Sequence, residues 1–417
     1  MKPLTMLTTI MIFWLNISLN AQVQKNPKRF YVENPKKKNV QLPFKLLNNL
    51  VVLPVFVNNS DTLNFILDSG ISNTIITDKD LADKLNMEYL REIKMYGFGG
   101  GNALTAMHSI ENNISIPGIS GFHQDILVIP DPDFDFSKLL GIKIHGLLGY
   151  NVFRDLIIEI NYDTKNITFH TPKTYVYKNK RKNNVTLPLT IIDTKPFINT
   201  QIVQEDSTII DGLFLIDSGA SFALWLDLFS NPKIILPQKN ENLYLGTGFG
   251  GAVYGKVGRI KQFGDGPLKL NNVIASFADT VISMPSLFTD KRTGNIGADI
   301  ISRFNVIFDY RNNKITFRPN IKNKDPFKVN LSGMELCCPT PGENLFSISN
   351  ICGNSPADKA GLKKGDEVIL INSQQLSKFN LSEVHAMLLK KAGKKMTVQY
   401  KRNGKVNLAT LVMKDCI

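Results

Sequence analysis

The tripeptide Asp-Ser-Gly stands at Asp68-Ser69-Gly70 and again at Asp217-Ser218-Gly219, each time behind an apolar run, Phe65-Ile66-Leu67 and Phe214-Leu215-Ile216. An apolar strand of this kind holds the carboxylate that follows it at a fixed point. Glycine lets the backbone turn sharply and approach a second loop closely. The hydroxyl of Ser69 or Ser218 can hydrogen-bond across to the opposite loop. Brought together, Asp68 and Asp217 share one proton, because two adjacent carboxylates do not both ionise cheaply. One then serves as base to a bound water, and the other as acid to the carbonyl that the water attacks. A single Asp-Ser-Gly is a common turn sequence; a pair in matched surroundings says more.

The surroundings do match. The two apolar-Asp-Ser-Gly runs lie 149 residues apart, and Gly97-Phe98-Gly99-Gly100 returns as Gly248-Phe249-Gly250-Gly251 after 151. Gly146-Leu147-Leu148-Gly149 returns as Gly294-Asn295-Ile296-Gly297, and Ile167-Thr168-Phe169 as Ile315-Thr316-Phe317, both after 148. Four landmarks in the same order at nearly one offset mark two copies of one unit.

Within each copy the elements that must position these residues read as strands. Val51–Val57, Asn64–Leu67, Leu213–Ile216, Val306–Phe308 and Lys314–Phe317 are short β-branched or apolar runs, punctuated by turns such as Asn58-Asn59 and Asn312-Asn313. Helical periodicity is scarce, as at Asp78–Leu85. Each copy is expected to be an all-β barrel or folded sheet, with the Lys/Asn-rich stretch Lys173–Asn184 as connector. The glycine-rich stretches suit mobile hairpin tips that close over a substrate, with Gly97, Phe98 and Gly99 at one tip and Gly248, Phe249 and Gly250 at the other. A phosphate-cradling loop does not fit, since neither stretch shows GxxxxGK[ST] or leads into a long helix. The segments ending at Gly149 and Gly297 could pack beneath the Asp loops, although as sequences they pass equally well for core strands.

From Leu46 to Pro319 the chain resembles the retropepsin-like aspartic peptidases, related to retroviral proteases and more distantly to pepsin. The resemblance rests on the two Asp-Ser-Gly motifs, the second continuing as Ala220-Ser221, and on the apolar-apolar-glycine segments. Serine stands where the family more often has threonine, and Ile71 where a small residue is usual. The resemblance implies a mostly β fold of two retropepsin-like barrel lobes forming a pseudo-dimer within one chain. It also implies catalytic Asp68 and Asp217, supported by Ser69, Gly70, Ser218 and Gly219, acting without a cofactor on polypeptide substrates.

From about Phe327 the character changes. Gly353-Asn354-Ser355-Pro356-Ala357-Asp358-Lys359-Ala360-Gly361-Leu362-Lys363-Lys364-Gly365-Asp366-Glu367-Val368-Ile369-Leu370-Ile371-Asn372 resembles the signature of bacterial PDZ domains. It reads as a short helix, Pro356–Ala360, ended by Gly361, then a turn and a buried strand. A second helix is expected over Asn380–Lys391, with Leu381, Val384, Leu388 and Leu389 on one face. A hairpin over Met396–Val412 would turn at Asn403-Gly404. A PDZ domain, which is α+β, takes an extended peptide, often a C-terminus, as an added strand. The resemblance places the carboxylate-binding loop at Leu331-Ser332-Gly333-Met334, so Ser332, Gly333 and Met334 are the candidate peptide contacts. The alternative is a PDZ module that serves only as a lid.

Composition bounds what else the chain could be. Its 417 residues call for two or three domains, and 43% hydrophobic with 20% charged residues is globular rather than disordered. The net charge of +13 is spread along the chain, with short clusters at Lys36–Lys38, Lys178–Lys182 and Lys390–Lys395 and no nucleic-acid motif, so a solvated lysine-rich surface is the reading. Lys2, the apolar run Leu4–Leu19 and Asn20-Ala21-Gln22 have the layout of a secretory signal cut after Ala21. An uncleaved membrane anchor is the other reading of that run. Export to periplasm or extracellular space, with no stable membrane insertion afterwards, is the expectation. Cys337, Cys338, Cys352 and Cys416 could then form disulfides, in any of three full pairings; their spacing does not look like a zinc site.

The expected organisation is a signal peptide (1–21), an N-terminal segment (22–45), two protease lobes (46–180 and 181–325) and a PDZ domain (326–417). An aspartic endopeptidase acting as a monomer accounts for both intact Asp loops. A non-catalytic peptide-binding protein would use the same cleft and PDZ groove as receptors. A glycosidase with paired carboxylates explains neither the repeat nor the PDZ-like module.

Overall fold

A computed structural model describes residues 28–95, 103–130, 135–177, 183–248, 251–278, 292–389, 392–414 and 417. The expected signal peptide and the basic cluster at 178–182 lie outside the described residues. Strand dominates, as the short β-branched runs foretold, and the described strands form four sheets.

The first copy builds one sheet in the order Phe30–Val32, Ile119–Val128, Thr74–Ile76, Gly146–Leu148, Leu63–Leu67, Leu50–Val57, Leu104–Ile116, Tyr89–Met95. Ile119–Val128 also pairs with Leu104–Ile116, so the sheet folds back on itself. The second copy repeats the plan: Thr190–Ile192, Lys195–Val203, Ile209–Ile216, Arg292–Ile296, Leu224–Leu226, Leu270–Ala278, Gly251–Phe263, Asn240–Gly248. In both, the strand that ends in Asp lies parallel to the late apolar segment, with Leu67 opposite Leu148 and Ile216 opposite Ile296. The segments ending at Gly149 and Gly297 are therefore both core strands and the floor beneath the Asp loops.

A third sheet joins the copies: Val185–Pro188, Lys314–Pro319, Phe304–Asp309, Ile157–Asn161, Asn166–His170, Asn39–Pro43. Each copy supplies three strands, and the seam pairs Ile158 with Phe308 and Ile160 with Val306. Because Val306 and Phe308 repeat Ile158 and Ile160 148 residues on, each contact is the other's mirror, the signature of a local two-fold axis. Phe153 packs its ring 5.2 Å from those of Phe308 and Tyr310 across this seam. Each such buried ring contributes roughly 2–3 kcal/mol by removal from water. One apolar cluster runs through both copies and the seam.

Part of the segment 22–45, set apart in the sequence reading, is woven into this fold. Phe30–Val32 pairs with Ile119–Gly121, and Asn39–Pro43 with Asn166–His170. The expected helix at Asp78–Leu85 runs over Lys79–Lys84, with Asp78 accepting the Leu81 amide as N-cap.

The C-terminal module has its own apolar cluster and a sheet in the order Met334–Cys337, Phe346–Ile351, Glu367–Ile371, Lys395–Arg402, Lys405–Val412. Its helices are Pro356–Lys359 and Leu381–Leu388, the second opened by a reciprocal cap between Asn380 and Glu383. The final hairpin turns at Asn403-Gly404, both left-handed. One expected core residue is misplaced: Leu381, Val384 and Leu388 are buried, but Leu389 has passed the helix end and is exposed. Cys337, Cys338 and Cys352 are free thiols, and Cys416 lies outside the described residues. Among the described residues no helix is long and apolar enough to cross a membrane.

Candidate active site

The two Asp-Ser-Gly loops meet at the two-fold axis. Asp68 follows the buried strand Leu63–Leu67, and its amide donates to Leu148 O at 3.0 Å; the Asp217 amide donates to Ile296 O at 2.9 Å. The serines then cross. Ser69 N–H donates to Ser218 Oγ at 2.9 Å, and Ser218 N–H to Ser69 Oγ at 3.0 Å. Ser69 Oγ–H reaches Ile216 O at 2.7 Å, and Ser218 Oγ–H reaches Leu67 O at 2.9 Å. Both hydroxyls are buried, so all four bonds form where water does not compete. The glycines permit the approach. A Cβ on Gly219 would lie 2.2 Å from Asp68 Cγ, and one on Gly70 would lie 2.8 Å from Asp217 Oδ1.

These contacts put the carboxylates in one another's field. The Asp68 carboxyl is pushed up to about 8, first by burial and then by the charge of Asp217, against the Gly70 amide at 2.7 Å and Lys195. Asp217 is also raised by burial. It is opposed by the Gly219 amide, by Arg292 and Lys195, and by Asn295 Nδ2, which donates to its Oδ2 at 3.4 Å. The cations and the Asn295 amide favour negative charge on Asp217. Burial raises both carboxyls, so the pair is suited to sharing one proton. It can activate a water at one carboxylate and protonate an oxygen from the other.

The dyad opens into a cavity of about 1240 Å3. Ile93 and Met95 from the Tyr89–Met95 strand line it, as do Leu243, Leu245, Gly248 and Val253 from the hairpin Asn240–Gly248/Gly251–Phe263. Both hairpins thus border the cleft. Their expected tips are only partly described: Gly248 pairs with Gly251, whereas Gly97, Phe98, Gly99, Phe249 and Gly250 lie outside the described residues. Among the described residues no three His, Cys, Asp or Glu side chains are placed to hold a metal ion.

The PDZ-like module closes one side of the same cavity, contributing Gly333, Glu335, Leu336 and His385 to its wall. Its edge strand Met334–Cys337 faces the helix Leu381–Leu388, the groove in which a peptide would add as a strand. That groove is engaged from within the chain. His385 Nε2 lies 3.1 Å from Leu336 O, and Cys338 N–H donates to Lys138 O at 2.8 Å. Asn48, at the tip of a hairpin of the first copy, sets its Oδ1 3.1 Å from Ser382 Oγ and 3.3 Å from His385 Nδ1. Tyr254 of the second copy reaches Asn350 Oδ1 at 3.2 Å. The candidate carboxylate loop is folded inwards. Ser332 N–H donates to Asn330 Oδ1 and Met334 N–H to Ser332 Oγ, while the Gly333 carbonyl accepts from Cys352. Two of the three amides expected to hold a peptide carboxylate are therefore already occupied.

The residues read from sequence as one site, Asp68, Ser69, Gly70, Asp217, Ser218 and Gly219, do come together. Those missed are Asn295, Lys195 and Arg292 beside the dyad, and Asn48 and His385 at the dock. Asn295 carried a signal, since it replaces Leu147 inside a matched landmark; the dock, joining residues more than 330 positions apart, carried none.

Comparison with known families agrees with this architecture. Residues 53–152 match the family model described as aspartyl protease, and residues 340–412 match that of the PDZ domain. The first match lies within the first copy; the second copy falls outside both. A search of curated proteins finds no match. The chain carries an aspartyl protease domain followed by a C-terminal PDZ domain.

Proposed function

We propose that the chain is an aspartic endopeptidase, active as a monomer, whose PDZ domain regulates access to the cleft. The observation that carries this is the pair of carboxyls crossed by reciprocal serine bonds at the floor of a peptide-sized cavity. Asp217, ionised, takes a proton from a water that attacks the amide carbon of the substrate. Asp68, protonated, gives its proton to the carbonyl oxygen, forming a gem-diol. Collapse of the diol breaks the C–N bond, as Asp217 returns its proton to the leaving nitrogen and Asp68 recovers one from a diol hydroxyl. Both copies lie in one polypeptide, so the site does not wait on a second chain. Export, to periplasm or extracellular space, is the location we infer from the leader-like N-terminus.

Regulation is favoured over peptide capture for the PDZ domain because its groove already holds contacts from Asn48 and Lys138. The test is a diverse peptide pool, from acid to neutral pH, with the mature protein beside its Asp217→Asn variant. Cuts by the wild type alone support the reading. Equal cutting by both removes the dyad, and no cutting by folded wild type moves the chain to a peptide-binding role.

A further inference from the structure

The two copies repeat one plan, yet they line the cleft with different chemistry. Equivalent positions can be read from the pairing. In the first copy Leu47 and Leu50 close a hairpin around left-handed Asn48 and Asn49; in the second, Ile192 and Lys195 close one around left-handed Asp193 and Thr194. Lys195 thus takes the place of Leu50. Next in the wall, Leu147 pairs with Ile75, which pairs with Leu127; their counterparts are Asn295, Trp225 and Ser276. All eight residues line the cavity.

The first copy therefore offers an apolar wall, continuous with the buried cluster of Leu50, Ile75, Leu127 and Leu147. The second sets Lys195, Asn295 and Ser276 into a lining that keeps Trp225; Lys195 brings a half-buried ammonium there, and Arg292 adds positive charge beside it. Asp217, Asp68 and Asp193 act on Lys195 through space. The reciprocal seam and serine bonds relate the walls by a two-fold axis through the dyad. A peptide strand crossing that axis meets one wall on each side of the bond to be cut.

We propose that this cleft selects polypeptides with a bulky apolar side chain on one side of the scissile bond and an Asp or Glu on the other. Lys195 is the specificity-determining residue that receives the carboxylate. A hydrogen-bonded carboxylate on a partly desolvated ammonium is worth roughly tenfold to a hundredfold in selectivity. The proposal rests on the endopeptidase reading above, and its test separates the two.

Matched peptides carrying Glu, Gln or Lys at each position flanking one cut would be compared by kcat/KM, using the mature full-length protein. Wild type is expected to favour Glu over Gln by at least about tenfold on one side only, less so as salt rises. Lys195→Leu should bring that ratio near one, Lys195→Glu should favour Lys, and Lys195→Arg should keep the preference for Glu. Cleavage by wild type without acidic preference overturns the inference alone, as does a preference that survives Lys195→Leu. A shifted pH profile with an unchanged Glu-to-Gln ratio would make Lys195 a tuner of the dyad and also overturns it. Absence of cleavage by folded wild type overturns the endopeptidase reading and this one with it.

Discussion

Replacing Asp68 by Asn should inactivate the protein and yet stabilise it, by an amount that grows with pH. The carboxyl sits at about 8 in the folded chain against an ordinary value of 3.8. The folded state thus holds its proton more tightly than the unfolded state does. That contribution is complete below about pH 4 and is lost as pH rises towards 8. The separation of about four pH units, at about 1.4 kcal/mol each, sets an upper bound of about 6 kcal/mol. Since the proton belongs to the pair, about 3–5 kcal/mol is the working range. The substituted asparagine is neutral at every pH and keeps a carbonyl oxygen for the Gly70 amide, which donates to Asp68 at 2.7 Å. For a chain of this size 1 kcal/mol moves Tm by roughly 1 °C. Melting curves of wild type and Asp68→Asn should therefore differ little near pH 4 and separate by about 3–6 °C at pH 8, the variant melting higher. Its turnover should fall by about 10²–10⁴-fold or more throughout. A Tm gap that stays constant from pH 4 to 8, or that turns against the variant as pH rises, would refute the reasoning.

Two further outcomes follow from close contacts. Gly219→Ala sets a methyl group 2.2 Å from Asp68 Cγ, so the loops must part; a loss of about 1–3 kcal/mol with loss of turnover is expected by denaturant melts and peptide assay. Gly353→Ala, where a Cβ meets nothing within 4 Å, is the control and should leave both unchanged. Asn48→Ala or His385→Ala should loosen the PDZ dock by about 1 kcal/mol per lost bond, speeding about fivefold the exchange of the Cys338 and Gly342 amides, which donate to Lys138 O and Gly141 O of the first copy. Peptide turnover should rise with it; faster exchange without faster turnover would show that the dock does not limit access.

What was legible in the sequence was whatever is local or repeated. An apolar strand running into Asp-Ser-Gly is local, and its reappearance after 149 residues made Asp68 and Asp217 partners before any geometry was known. Caps and turns were likewise local: Asp78, Asn380, Asn403-Gly404. The misses are long-range or short. Phe30–Val32 and Asn39–Pro43 are too brief and too rich in lysine and asparagine nearby to read as strands, and gain their order from partners about 90 and 130 residues away. Leu389 fits the helical spacing but falls just past the helix end. Lys195 reads as one lysine among many until the hairpin register shows it to stand where the first copy has Leu50. The matched family model covers the first copy alone, and the second is where the polar replacements lie.

The seam between Ile157–Asn161 and Phe304–Asp309 also sets a timetable for the nascent chain. Ile158 waits for Phe308, 150 positions later, before its strand has a neighbour on that side. At the usual pace of synthesis that is roughly ten to thirty seconds. During this interval the first half presents an open strand edge of alternating apolar residues, a template for any extended chain nearby. The partner it is built to receive is its own later copy, so two incomplete chains held close together could pair with each other instead. The same edge that joins the two copies is thus, until the second half arrives, the first half's point of greatest exposure to mispairing.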